Sequence, residues 1–376
     1  MSKEKFLYFI KNTAAVIVLI ALLIIIFYQN RDRDVLKFGK DNAQKSAQNN
    51  ENASIFEGYT NGDVRIMNDE VVLLTSDAFA IMNTKGEGSI LPITIPEPML
   101  HSEKDYAICH ENKSKEAIVF KGARECYTIK TENSIISAKV NKNGYAIVTT
   151  EKDGYNCEIM VYNKLGEPIF KWDISENEFL DADVCGDNGK IAVSTVGATK
   201  EKMCGKVELI DITTAEVKKS ETFESELFYT VDFNQNGTYT AVGSDSLAYF
   251  NAGGSLKWEK EHEGRVLIKA DVSYPDMMVL AFSAVGSGIK GNSTEIEVID
   301  RLGNVKAKKT MNAIADDISV NGEKIAVAFG KNIFILDEDL KELKKLEAET
   351  SVKRMAFFSD NKHVFVVGRS GGQIIK

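Results

Sequence analysis

The sequence predicts an all-β fold: a β-propeller of four-stranded blades placed after an N-terminal transmembrane helix. Two observations predict it. A single long apolar run lies near the start, and beyond it short β-type runs separated by turn residues recur to residue 376.

Residues 1–5 form a short tail, and 6–28 read as the membrane span. Its inner part, Ala14 to Phe27, is AAVIVLIALLIIIF without interruption. About 20 apolar residues cross a bilayer core as a helix, and Lys11 lies near enough to one end to snorkel. A cleaved signal peptide would need small residues after the apolar run, whereas Tyr28-Gln29-Asn30-Arg31 follows. Lysines 3, 5 and 11 before the span are matched by Arg31, Arg33, Lys37 and Lys40 after it, so charge does not set the orientation. By analogy with other single N-terminal anchors, the bulk is expected outside the cytoplasm, on a single-pass protein of the cell membrane. Residues 29–53 are rich in Asn, Gln, Lys and Asp and have almost nothing to bury, which reads as a stalk or linker.

From residue 54 onward the pattern is a repeat. Apolar runs begin at Val71, Tyr106, Tyr145, Ile191, Tyr239, Met277, Ile325 and Val364, 35 to 48 residues apart. Their near-continuous hydrophobicity suits strands buried on both faces. Asn143-Gly144, Asn188-Gly189, Asn236-Gly237 and Asn321-Gly322 precede four of these runs, where a type I′ hairpin turn is expected because both residues tolerate positive φ. A further signal follows: two apolar residues, then Asn or Asp, with Gly three positions on. Asn83 with Gly86, Asn163 with Gly166, Asn251 with Gly254 and Asp300 with Gly303 are the examples. The Asx side chain closes the turn and the glycine supplies positive φ. Four strands per unit at a period near 42 residues is a propeller pattern. Eight blades are counted, with seven the alternative because residues 60–132 diverge most. The last repeat holds only three strands, so residues 54–59 are expected to pair beside residues 373–375 and close the ring.

Function classes narrow quickly. A formal net charge of -9 without a basic stripe excludes nucleic acid as a partner. Five cysteines share no C-x-x-C spacing and the four histidines are scattered, so no metal site is expected. Asp181, Asp183, Asp187 and Asn188 superficially suggest a calcium loop. Cys185 stands at its fifth position and Ala192 at its twelfth, where oxygen ligands are required, so a strand and turn are the better reading. No nucleophile-base order or P-loop is found, and the glycine-rich run Gly286 to Gly291 precedes a strand instead of a helix.

The segments YNKLGEPIFKW and YFNAGGSLKW, ending at Trp172 and Trp258, resemble the pyrroloquinoline-quinone-like repeat, itself similar to WD40-like repeats. That repeat occurs in quinone alcohol dehydrogenases and in an outer-membrane assembly scaffold. The layout of anchor, stalk and propeller is also similar to an uncharacterised family of membrane proteins from Gram-positive anaerobes. The resemblance implies a quinone- and calcium-binding oxidoreductase or a scaffold. The dehydrogenases carry many more tryptophans than two and some use a vicinal cysteine pair, neither of which is present here. A non-catalytic binding or scaffolding module without cofactor is therefore expected, its partner a protein or cell-envelope component. The alternative is an extracytoplasmic oxidoreductase or hydrolase with a central-channel site. Perturbed acids in the channel would favour the enzyme, and a mixed apolar loop face the scaffold.

The partner is expected on the face bearing three extended second-to-third-strand loops: residues 151–156, 196–205 and 283–294. Their candidate contact residues are Tyr155, Asn156, Lys200, Lys202, Met203, Lys290 and Asn292. Aromatic, Met and long polar side chains in such loops suit an amphipathic contact.

Overall fold

The structure, a computed structural model, describes residues 54–57, 63–198, 202–234, 236–283, 293–322, 324–369 and 371–376. The expected span 6–28 and stalk 29–53 lie outside them. Eight four-stranded antiparallel sheets form a β-propeller. Seven blades are continuous in sequence: 63–92, 98–130, 135–174, 178–224, 228–261, 266–311 and 317–347. The eighth is composite. Its first three strands are Arg354–Phe357, Val364–Val367 and Gly371–Ile375, and its outermost is Ser54–Glu57. Ser54 stands opposite Gln373 and Glu57 opposite Gly371, so the expected clasp is present. It covers an edge that would otherwise invite intermolecular pairing.

The second strand of each blade carries the core. Glu70–Leu74, Tyr239–Gly243, Met278–Ser283 and Val364–Val367 are almost wholly buried, because neighbouring blades cover both of their faces. The core divides into eight clusters, one at each seam. Val279, Ile296, Ile325 and Leu336 join blades 6 and 7, for example, and Val71, Leu73, Phe358 and Phe365 join blades 8 and 1. Phe79 and Phe120 stack at 4.1 Å across the seam of blades 1 and 2. Each such buried side chain is worth about 1.5–3 kcal/mol, so closure spreads stability evenly around the ring. Fourth strands are instead lysine- and glutamate-rich, as in Glu216–Glu224 and Glu342–Glu347, which discourages edge pairing.

The Asx turns follow the expected chemistry. Asn163 Oδ1 accepts the amides of Leu165 and Glu167 at 2.9 and 3.1 Å, while Gly166 takes φ 79°. Where the glycine is missing, Leu340 takes φ 60° beside Asp337. The Asn-Gly turns differ from expectation: in none of the four are both residues at positive φ. In the first, Asn141 O accepts the Gly144 amide at 2.9 Å and only Gly144 is left-handed, at 78°. The turn thus begins two residues before Asn143, and its lone left-handed residue forms a bulge that returns the strands to register.

The two tryptophans do not share one position. Trp258 pairs with Tyr249, next to the end of its third strand, whereas the equivalent Val161 pairs with Phe170 and Trp172 lies two residues further along, opposite Ile159. The repeat alignment resting on both tryptophans therefore fails in blade 3.

Candidate binding face and the charged channel beneath it

Loops from second to third strands, and those from one blade to the next, emerge on one face; the remaining turns emerge on the other. Two of the three expected loops are largely strand. Ala146–Lys152 and Tyr155–Tyr162 leave only Asp153-Gly154 as a turn, with Gly154 at φ 80°. In blade 4, Lys190–Ala198 pairs with Met203–Asp211 as far as Ala198 opposite Met203. The sequence continues to favour strand there, so both segments are hairpins that rise above the face. Blade 5, by contrast, turns at Ser244-Asp245 after a strand of five residues. The third loop, 283–294, falls mostly outside the described residues.

Tyr155 and Met203 are 45% and 43% exposed on these hairpins. Asn156 donates from Nδ2 to Asn177 O at 2.8 Å, tying its hairpin to the connection between blades 3 and 4. Lys202 pairs with Glu224 at 2.7 Å. Lys200, Lys290 and Asn292 lie outside the described residues. The structure adds residues that the sequence reading missed. Met99, Ile136, Tyr229 and Val266 are the first or second residues of the innermost strands in blades 2, 3, 5 and 6, and all are exposed. Ile136 and Tyr229 are skipped by a register shift that recurs at this place in blades 3 to 6. A bulge re-aims the side chain it displaces. With Ile314 on the connection between blades 6 and 7, seven of the twelve exposed large apolar side chains among the described residues lie on this face. Met311, Ala313, Ile314, Phe329 and Phe334 line a shallow groove at its rim.

Beneath the mouth, the innermost strands present unpaired backbone amides to the channel. Side chains of the preceding blade satisfy them. Asp181 and Asp183 accept the amides of Val231 and Phe233, both at 2.8 Å. Asp271 accepts that of Val320 at 2.7 Å, and Asp317 that of Met355 at 2.8 Å. His101 Nδ1 accepts the Val140 amide at 3.2 Å, and Glu103 that of Lys142 at 2.9 Å. The supposed calcium ligands Asp181 and Asp183 are thus ties between blades 4 and 5.

Lys139 braces three blades: its Nζ donates to Asp181 at 2.6 Å and to both Asp232 and the Val231 carbonyl at 2.9 Å. Burial alone would depress its pKa, but Asp232 and Asp181 outweigh burial and hold it as an ammonium. Burial tends to raise the Asp232 pKa, yet Lys139 overrides this and leaves it ionised. Asp183 gains no such direct pairing. Its burial, only partly offset by Lys139 and reinforced by Asp232, raises its pKa to about 8. Burial and the Lys139 charge push His101 down to about 3. A neutral imidazole accepting at Nδ1 must carry its proton on Nε2.

Perturbed acids therefore do occupy the channel, the feature expected of an enzyme, but each named one is committed to a neighbouring backbone amide or to Lys139. Among the described residues no group of three His, Cys, Asp or Glu side chains could hold a metal. All five cysteines are free; Cys109, Cys157 and Cys185 are buried and Cys126 is exposed. Elsewhere on the loop face, buried Glu297 is held by Arg265 at 2.5 Å and Lys308 at 2.6 Å, and Arg265 stacks over Phe282 at 4.0 Å.

Eight four-stranded blades closed into a ring define a β-propeller. Over residues 37–376 the chain belongs to a family of unknown function, DUF5711. No curated protein matches it. Among solved structures it is similar to the C-terminal WD40 domain of Sif2, with TM-score 0.61 and 11% identity over 86% of this chain and 97% of that one. It is similar also to Sqt1 of Saccharomyces cerevisiae, at TM-score 0.59 and 9% identity over 85% of this chain and 96% of that one. BamB of Moraxella catarrhalis gives TM-score 0.54 and 10% identity over 87% of this chain and 96% of that one. At these identities the likeness concerns the fold alone.

Proposed function

We propose that this protein is a non-catalytic scaffold, held at the cell membrane by residues 6–28, whose propeller lies outside the cytoplasm and takes a protein or cell-envelope partner on its loop face. The observation that carries this reading is the concentration of exposed Met99, Ile136, Tyr155, Met203, Tyr229 and Val266 on one face. Such aromatic, Met and aliphatic side chains above a polar rim form the anatomy of a binding patch. Lys200, Lys202, Lys290, Asn156 and Asn292 would supply its polar contacts. The test is capture of the partner from a membrane extract by residues 54–376, in parallel with a variant carrying Tyr155→Ser, Met203→Ser, Tyr229→Ser and Val266→Ser. The variant should melt within a few degrees of the parent and lose the partner. Undiminished capture by the variant would place the contact elsewhere.

A second reading, an oxidoreductase or hydrolase working in the channel, draws on Asp232, whose side chain is 41% exposed beside His101. Asp232→Asn distinguishes the two: it should abolish turnover in an enzyme and leave partner capture intact in a scaffold.

A further inference from the structure

We infer that the turn face of the propeller, the one opposite the proposed binding face, is directed toward the membrane that holds the chain. This inference rests on the anchor reading above and concerns how the ring is presented. Its basis is the polarity of one strand. Gly371–Ile375 leaves the loop face at Gly371 and runs toward the turn face, where Ile375 stands opposite Val364, the residue that follows the Phe358–His363 turn. Ser54–Glu57 pairs antiparallel to it, Ser54 opposite Gln373 and Glu57 opposite Gly371. The chain thus enters the outer edge of blade 8 from the turn side and travels toward the loop side.

Length reinforces polarity. A flexible linker of 25 residues would have a span of roughly 28 Å, taking 5–6 Å times the square root of that number. The height of a blade is comparable: the third strand of blade 3, Tyr155–Tyr162, advances roughly 23 Å at 3.3 Å per residue before the turn that carries Leu165. To bring the loop face against the bilayer, the linker would have to run back along the whole height of blade 8 and through its own excluded volume. With the turn face inward no such detour arises. The turn face is also the side of short, internally hydrogen-bonded Asx turns, while the apolar channel mouth is left facing away from the lipid.

The experiment uses the full chain in phosphatidylcholine vesicles containing an acceptor-labelled lipid. Leu165→Cys and Tyr155→Cys place a donor dye at opposite ends of the same strand, at 68% and 45% exposed positions. Both are made in a Cys126→Ser, Cys204→Ser background, since the other three cysteines are buried. Energy transfer should be at least about twofold greater from position 165, given the roughly 23 Å of strand between the two sites. Equal transfer, or greater transfer from position 155, overturns the orientation while leaving the anchor intact. Failure of the protein to float with the vesicles after an alkaline wash overturns the anchor reading and the orientation together.

Discussion

The Asp183 carboxylate of blade 4 accepts the Phe233 amide of blade 5 at 2.8 Å, and its other oxygen accepts the Val184 amide at the same distance. A buried acid is thereby fixed at a seam of the ring, close to ionised Asp232 and braced Lys139, with Glu103 also facing it. Folding raises its pKa from 3.8 to about 8, so between those values the folded state keeps a proton that the unfolded chain has lost. Bound protons are then more numerous in the native state, and stability falls as pH rises. The slope is at most about 1.4 kcal/mol per pH unit. Asp183→Asn should flatten the decline in melting temperature between pH 6.5 and 8.5. An unchanged slope would show that Asp183 is ionised throughout.

His101 acts with the opposite sign. Its pKa falls from 6.5 to about 3 on folding, so between those values the unfolded chain binds the extra proton and stability rises with pH. From about pH 4 to 6.5 the two groups oppose one another, and their contributions to the slope largely cancel. In His101→Gln, whose amide oxygen still accepts the Val140 amide, the change of melting temperature with rising pH should be more negative than in the parent across this window. An unchanged slope would remove His101 from the balance.

Much of this fold was legible because its signals are local. Near-continuous apolar runs, Asx-x-x-Gly turns and the missing fourth strand of the last repeat are each read from a few neighbouring residues, and together they specify the eight blades and the Ser54–Glu57 clasp. The channel network was not legible. Lys139 lies 92 residues from the Val231 carbonyl that it binds, and Asp183 lies 50 from Phe233. Nothing local to either residue announces such a partner. In the hairpins of blades 3 and 4 the polar residues 151–153 and 199–202 suggest loops, yet pairing continues as far as Lys152 opposite Tyr155 and Ala198 opposite Met203. Trp172 stands nine residues after Asn163 and Trp258 seven after Asn251, so with the same register shift beyond both turns the two tryptophans meet different partners.

Gly303 and Trp258 lock the seam of blades 5 and 6. The Trp258 ring lies over Gly303, where a Cβ would stand 2.9 Å from Cδ2, and its Nε1 donates to Arg301 O at 2.9 Å. Gly303 also takes φ 84°, a conformation that disfavours any L side chain. Gly303→Ala should therefore cost about 1–3 kcal/mol, read as a lowered midpoint in urea unfolding. Gly264, also at positive φ but with open space around it, isolates the backbone part of that penalty. Gly264→Ala should be the milder of the two, and equal losses would show that the Trp258 contact adds nothing.

The clasp makes the sharpest stability prediction. Among the described residues, Ser54–Glu57 is the sole partner of the outer edge of Gly371–Ile375, a strand whose Ile374 and Ile375 are 7% and 1% exposed. Removing it would unpair the Gly371–Gln373 ladder and uncover an edge composed of backbone and apolar side chains. Several hydrogen bonds at about 1 kcal/mol each, together with lost apolar burial, place the expected cost at several kcal/mol. Residues 58–376 should melt well below residues 54–376 and aggregate on heating, because the bared strand can recruit a second molecule. A synthetic peptide carrying residues 54–57 within a longer flanking sequence should restore part of the loss when added in excess, since binding to the native state raises stability by mass action. Equal melting temperatures for the two fragments would mean that blade 8 is stable with three strands and that the seam clusters, not the clasp, hold the ring shut.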